Sequence, residues 1–80
     1  MIEGRQIRAA RGLLGWSRAD LIEASGVSIS ALLRLEGAQA DSRSSTLNKV
    51  IAALNAAGIE FINDGQQGVG VLVRPSSDAD

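Results

Sequence analysis

Between positions 18 and 34 the chain holds two arginines and two serines, Arg18, Ser28, Ser30 and Arg34, side chains suited to gripping oxygens and heterocycle edges. A guanidinium is a planar fork of donors that matches a phosphate or the edge of a guanine, and a serine hydroxyl meets a base or phosphate oxygen. Ile29 and Leu33 lie among them and offer only apolar contact, for which a thymine methyl group is a fitting partner. Arg43 and Lys49 are candidates for further phosphate contacts. Other chemistry is poorly provided for. The chain has no cysteine and no histidine, so disulfides, thiolate metal sites and the usual zinc and acid-base groups are missing. No constellation of base, nucleophile or metal ligands supports an enzyme, and no cofactor is expected.

Positioning those side chains is the task of residues 17 to 36. They read as two short amphipathic helices, about Arg18 to Ser25 and Ile29 to Leu35, joined at Gly26. A tight turn between steeply crossing helices needs a residue at positive φ, which glycine adopts without strain. Ser17 precedes a run of helix formers with Asp20 three positions on, the spacing at which each caps the other's backbone; Ser28 repeats the capping role for the second helix. Leu21, Val27, Leu32 and Leu35 then fall where the two helices meet, which leaves Ser28, Ile29, Ser30, Leu33 and Arg34 facing outward. That arrangement is a helix-turn-helix, and Arg18, at the start of its first helix, is placed for a backbone phosphate.

Over about residues 5 to 58 the chain resembles the Cro/repressor type helix-turn-helix family, also called the XRE family. The resemblance is carried by Ile7, Arg8, Arg11, Gly15, Ser17, Leu21, Gly26-Val27-Ser28, Leu32, Leu35, Glu36 and Gly37. The block from Ala9 to Ser17 and the stretch Ala56-Ala57-Gly58-Ile59-Glu60-Phe61-Ile62 are similar to small stand-alone bacterial members. The resemblance implies that the second helix of the motif enters the major groove while the first lies across the backbone. It also implies a structural ion pair between Arg11 and Glu36, which stand at the places of the family's paired arginine and glutamate. Four positions depart from the family pattern. Arg18 stands where glutamine is usual, Ile22 where alanine is usual between the helices, and Ile29 and Leu33 put bulk on the reading surface.

The remaining elements follow from periodicity. Ile7, Ala10 or Arg11, and Leu14 give a first helix from about Gly4 to Leu14, ending near Gly15, with Trp16 as a core plug. Ile2-Glu3-Gly4-Arg5 matches a protease recognition sequence, but Arg5 runs straight into this pattern, so the segment reads as native. After a polar loop from Gly37 to Arg43, Ser44 or Ser45 caps a fourth helix with Leu47, Val50, Ile51 and Leu54 on one stripe, stopped by Gly58. The period then changes to two. Ile59 and Phe61, then Val69, Val71 and Val73, alternate around the turn-rich Asp64-Gly65-Gln66-Gln67-Gly68, predicting a β-hairpin.

The expected fold is thus mainly α: a four-helix Cro/repressor-like domain over residues 1 to 58, a short C-terminal β-hairpin over 59 to 74, and a disordered tail from Pro75 to Asp80. A lone hairpin exposes its edges. Ile59, Phe61, Val69, Val71 and Val73 are therefore expected at a contact between two copies, the plainer alternative being a hairpin that only caps the core.

Charge is informative by its distribution. The net charge is −1 over 80 residues. Residues 1 to 37 set five arginines against four acids and residues 38 to 58 are also +1, while Glu60, Asp64, Asp78 and Asp80 against Arg74 make the rest −3. The helical part is mildly basic. For each arginine other than Arg11 the plainer assignment is a solvated surface charge. With no long apolar run and no secretory pattern, a cytoplasmic location is expected. The function expected on these grounds is a homodimeric DNA-binding transcriptional regulator, a repressor by occlusion since 80 residues leave no room for a separate sensing domain. The rival is a helix-turn-helix turned protein-binding module, antiactivator or antitoxin-like, that uses the apolar Ile29/Leu33 face.

Overall fold

The first turn of the chain is fixed by a side chain three positions on. Gln6 Oε1 accepts the main-chain N–H of Glu3 (2.8 Å), which fixes the start of α1, Gly4–Leu14. The helix ends where Gly15 turns left-handed at φ 69°. Helix α2, Arg18–Ser25, opens with a reciprocal cap: Ser17 Oγ accepts from Asp20 N (3.1 Å) and Asp20 Oδ2 accepts from Ser17 N (2.9 Å). It closes at Gly26, φ 78°, after which Ser28 Oγ accepts from Ala31 N (3.1 Å) and starts α3, Ile29–Glu36. Helix α4 runs Ser45–Ala56. Strands β1, Ile59–Asp64, and β2, Gly68–Val73, form an antiparallel hairpin. The computed structural model describes residues 2–37 and 45–75. The expected loop and cap between 38 and 44, and the expected tail apart from Pro75, lie outside the described residues.

One apolar cluster holds these elements together. Ile7, Ala10, Leu21, Val27, Leu32, Leu35, Leu47, Val50, Leu54 and Ile59 are its buried members. Leu14, Trp16, Ile22, Ile51, Phe61 and Val71 pack against it while remaining partly exposed. Burying a Leu or Ile side chain is worth roughly 1.5–3 kcal/mol, so this cluster is the main source of stability in so short a chain. Ile22 packs at the margin of the core and stays partly exposed.

The strands are longer than the alternation of valines predicts, reaching Asp64 and starting again at Gly68, with Ile59 opposite Val73, Phe61 opposite Val71 and Asp64 opposite Gly68. Asp64 accounts for this by building the turn itself: its Oδ1 accepts from Gln66 N (2.7 Å) and Gln67 N (3.3 Å). The hairpin is joined to the helices by Ile59 in the common core, by Phe61 and Val71 packed against it, and by Gln6. The buried Gln6 amide donates to Ile62 O (3.1 Å) and Gly70 O (2.9 Å), one carbonyl on each strand. The change at residue 58 is a change of element, not of core. No helix among the described residues is long and apolar enough to cross a membrane.

Candidate nucleic-acid interface

Eight residues of helix give α3 little more than two turns, and its two sides differ sharply. Leu32, Leu35 and Glu36 are buried. Ser28, Ile29, Ser30, Leu33 and Arg34 are exposed, with Ile29 and Leu33 each keeping 48% of their surface. Steps of three and four residues connect Ile29, Ser30, Leu33 and Arg34 into one stripe. The expected set on α3 is therefore brought together on a single free face, with the Ser28 cap at its N-terminal end.

Behind that face α3 is anchored by charge. Glu36, only 3% exposed, accepts from Arg11 Nε at Oε2 (2.6 Å) and from Arg11 again at Oε1 (3.2 Å). Arg18 Nε donates to Oε1 (2.9 Å), and Arg8 donates to the main-chain carbonyl of Glu36. Arg11 also reaches Trp16 O (3.2 Å). A buried carboxylate is tolerated only when its lone pairs are met by good donors, and here α1 and α2 both supply them. Among the described residues no buried side-chain polar atom lacks a partner.

The placements of the other expected contacts are uneven. Arg18 is not a free surface cation, since its Nε is engaged by Glu36; yet 46% of its side chain stays exposed, leaving the terminal nitrogens toward solvent. Lys49 is exposed on α4. Arg43 lies outside the described residues. Of the hairpin residues expected at a contact between copies, Ile59 is instead a core residue at 3% exposure, because it opens β1 just past the turn that ends α4 and packs into the helical core. Phe61 and Val71 are half-committed to the core, and Val69 and Val73 are exposed.

Three contributors escaped the sequence reading. Arg8 and Gly4 act on the end of α3: a methyl group on Gly4 would lie 2.5 Å from Leu35 O, so α1 meets the α3 main chain at that point. Gln6 precedes Ile7 and stands four residues before Ala10, a helical spacing that puts it beside the core face. That spacing was the available signal. A scan against protein-family models and a comparison with curated proteins both return no match.

Proposed function

We propose that the chain is a sequence-specific DNA-binding regulator of the Cro/repressor type, a homodimeric repressor that reads the major groove with α3. The observation that supports this reading is the free face of Ser28, Ile29, Ser30, Leu33 and Arg34 on a short helix braced from behind through Glu36. A reading helix must hold its side chains at fixed positions against base edges, and a braced helix does so at little entropic loss. In this reading Arg34 bonds a guanine edge or a phosphate, Ser28 and Ser30 meet base or phosphate oxygens, and Ile29 and Leu33 cover thymine methyl groups. Arg18, Arg43 and Lys49 serve phosphates. Two copies address half-sites about 34 Å apart, and the regulator works in the cytoplasm where it meets its operator.

The test is a titration of labelled duplex from upstream of the chain's own gene, against a scrambled duplex of the same length, over a range of salt. Preference for the upstream duplex, with affinity falling steeply as salt rises, supports the reading. Equal and negligible binding to both duplexes overturns it. A second reading is favoured by one observation, the half-exposed Ile29 and Leu33, which also fit an apolar pocket on a protein partner. Such an interface loses little affinity with salt, so the same titration carried out with a captured partner separates the two.

A further inference from the structure

The hairpin leaves two strand edges, and the two differ. Arg74 N donates to Gly58 O (2.8 Å), extending the ladder one position beyond the Ile59–Val73 pair. In an antiparallel ladder, pairs that exchange main-chain hydrogen bonds alternate with pairs that do not. The Gly58–Arg74 bond therefore sets the phase: Glu60–Leu72, Ile62–Gly70 and Asp64–Gly68 bond across the hairpin, and the N–H and C=O groups of Val69, Val71 and Val73 point away from β1. Among the described residues, those outward groups have no main-chain partner beyond the hairpin. From Gly68 to Val73 there is also no charge and no proline, the devices that ordinarily protect an edge. Val69 and Val73 are left 42% and 40% exposed. Strand β1, by contrast, carries Glu60 and Asp64.

The geometry points to this edge as the contact between two copies of the chain: β2 pairs antiparallel with the second copy's β2 about a two-fold axis at Val71. The sheet then runs β1-β2-β2-β1. The register argues for a second copy as the occupant. The outward-pointing valines are spaced evenly about Val71, so a two-fold axis there sets Val71 against its own equivalent and Val69 against Val73, and every outward N–H meets an outward C=O. All three valines share one sheet face, the one on which Val71 packs against the core, so each new Val69–Val73 pair extends that apolar layer. Both outer edges of the larger sheet are β1, whose Glu60 and Asp64 oppose further addition, so the assembly closes as a dimer. This contact deepens the two-copy state of the proposed function and rests on that reading for its role, although its formation needs no DNA.

Sedimentation from low micromolar to several hundred micromolar protein tests it, with no DNA present. The wild type is expected to dimerise. The variant carrying both Val69→Lys and Val73→Lys, which opposes like charges across the new pair, is expected to weaken the dimer by on the order of a hundredfold while keeping its helical circular dichroism. Because the chain has no cysteine of its own, register is read by oxidation. The Val69→Cys, Val73→Cys double variant is expected to give covalent dimers. Neither single variant is, since equivalent positions then lie about 13 Å apart along the strands, beyond disulfide reach. A monomeric wild type, a lysine variant that dimerises like wild type, or single cysteine variants that cross-link as well as the double one would each overturn the proposal. A wild type that dimerises through this edge but binds no duplex upholds the contact and removes the DNA reading instead.

Discussion

Arg18 at the start of α2 and Glu36 at the end of α3 are joined by an Nε–Oε1 bond of 2.9 Å, on a carboxylate already held by Arg11. The two arginines are unequal partners. Arg11 is mostly buried, with 16% of its side chain exposed, and it also satisfies Trp16 O, so Arg11→Ala strips a buried carboxylate of its best donor. The expected loss is about 3 kcal/mol of stability. Arg18 is half in water, where a screened pair contributes little, and Arg18→Ala is expected to lose less than about 1 kcal/mol. Urea denaturation of both variants checks this. Equal losses would show that Glu36 does not distinguish them.

In DNA binding the ranking of the arginines is expected to change. The terminal nitrogens of Arg18 remain free for a phosphate, so Arg18→Ala should weaken all duplexes alike and lower the slope of log affinity against log salt by about 1. Arg34 sits on the exposed face of α3 proposed to read bases, and Arg34→Ala should compress the difference between operator and scrambled duplex by about 1–3 kcal/mol. Anisotropy titrations at several salt concentrations separate the two effects. If both variants bind operator as wild type does, α3 does not dock as proposed.

Gln6 holds the hairpin to the helices through its amide, which also exchanges bonds with the Asn63 side chain (3.1 and 3.3 Å). Replacing it by leucine of similar reach keeps the bulk and removes every one of these bonds, including the one that starts α1 at Glu3. Gln6→Leu is expected to lose about 2 kcal/mol, the usual penalty for leaving buried polar groups unmet. Amide exchange should locate the damage, with protection falling in β1 and β2 first and the α2–α3 unit least affected. Uniform loss across the chain would mean that the hairpin and helices open as a single unit.

The helices were legible in the sequence to within a residue because their ends are local chemistry. Gly15 and Gly26 turn left-handed, and Ser17, Asp20 and Ser28 cap within three positions, so no distant contact is needed to place them. The outward face of α3 was legible for the same reason, since its buried residues recur at helical spacing. Ile59 was misassigned because alternation within a strand does not say which face the helices cover. Arg18's bond to Glu36, Arg8's to the end of α3 and Gln6's to the hairpin join residues far apart in the chain, and only the packed fold brings them together.

Gly4 and Gly12, on the same helix, make a sharp contrast. A Cβ on Gly4 would meet Leu35 O at 2.5 Å and the Glu36 carbonyl carbon at 2.7 Å, both main-chain atoms at the anchored end of α3. Gly4→Ala must push α1 away from α3, with an expected loss of about 3 kcal/mol. A Cβ on Gly12 meets nothing within 4 Å, and alanine is the better helix former there, so Gly12→Ala is expected to gain about 0.5–1 kcal/mol. Thermal melts of the two variants should move in opposite directions; a Gly4→Ala melt unchanged from wild type would mean that α1 and α3 are not in contact at this point.

Ile29 and Leu33 decide between an apolar patch for a protein and a reader of thymine, and the two roles part on a single methyl group. If each side chain covers a thymine methyl, replacing that thymine by deoxyuridine leaves every hydrogen bond and phosphate in place and removes only the apolar contact. Burial of one such group is worth about 0.8 kcal/mol, so wild type should bind the substituted operator about fourfold more weakly per methyl. Ile29→Ala and Leu33→Ala, truncations at half-exposed positions with little bearing on the core, should bind the normal operator more weakly and lose sensitivity to deoxyuridine at one position each. The coupling between a protein methyl and a DNA methyl in that cycle is the quantity to measure. Sensitivity that persists in both alanine variants would assign the methyl groups to other residues. A wild type indifferent to deoxyuridine at every position would leave Ile29 and Leu33 without a role on DNA and favour the protein-binding reading of this face.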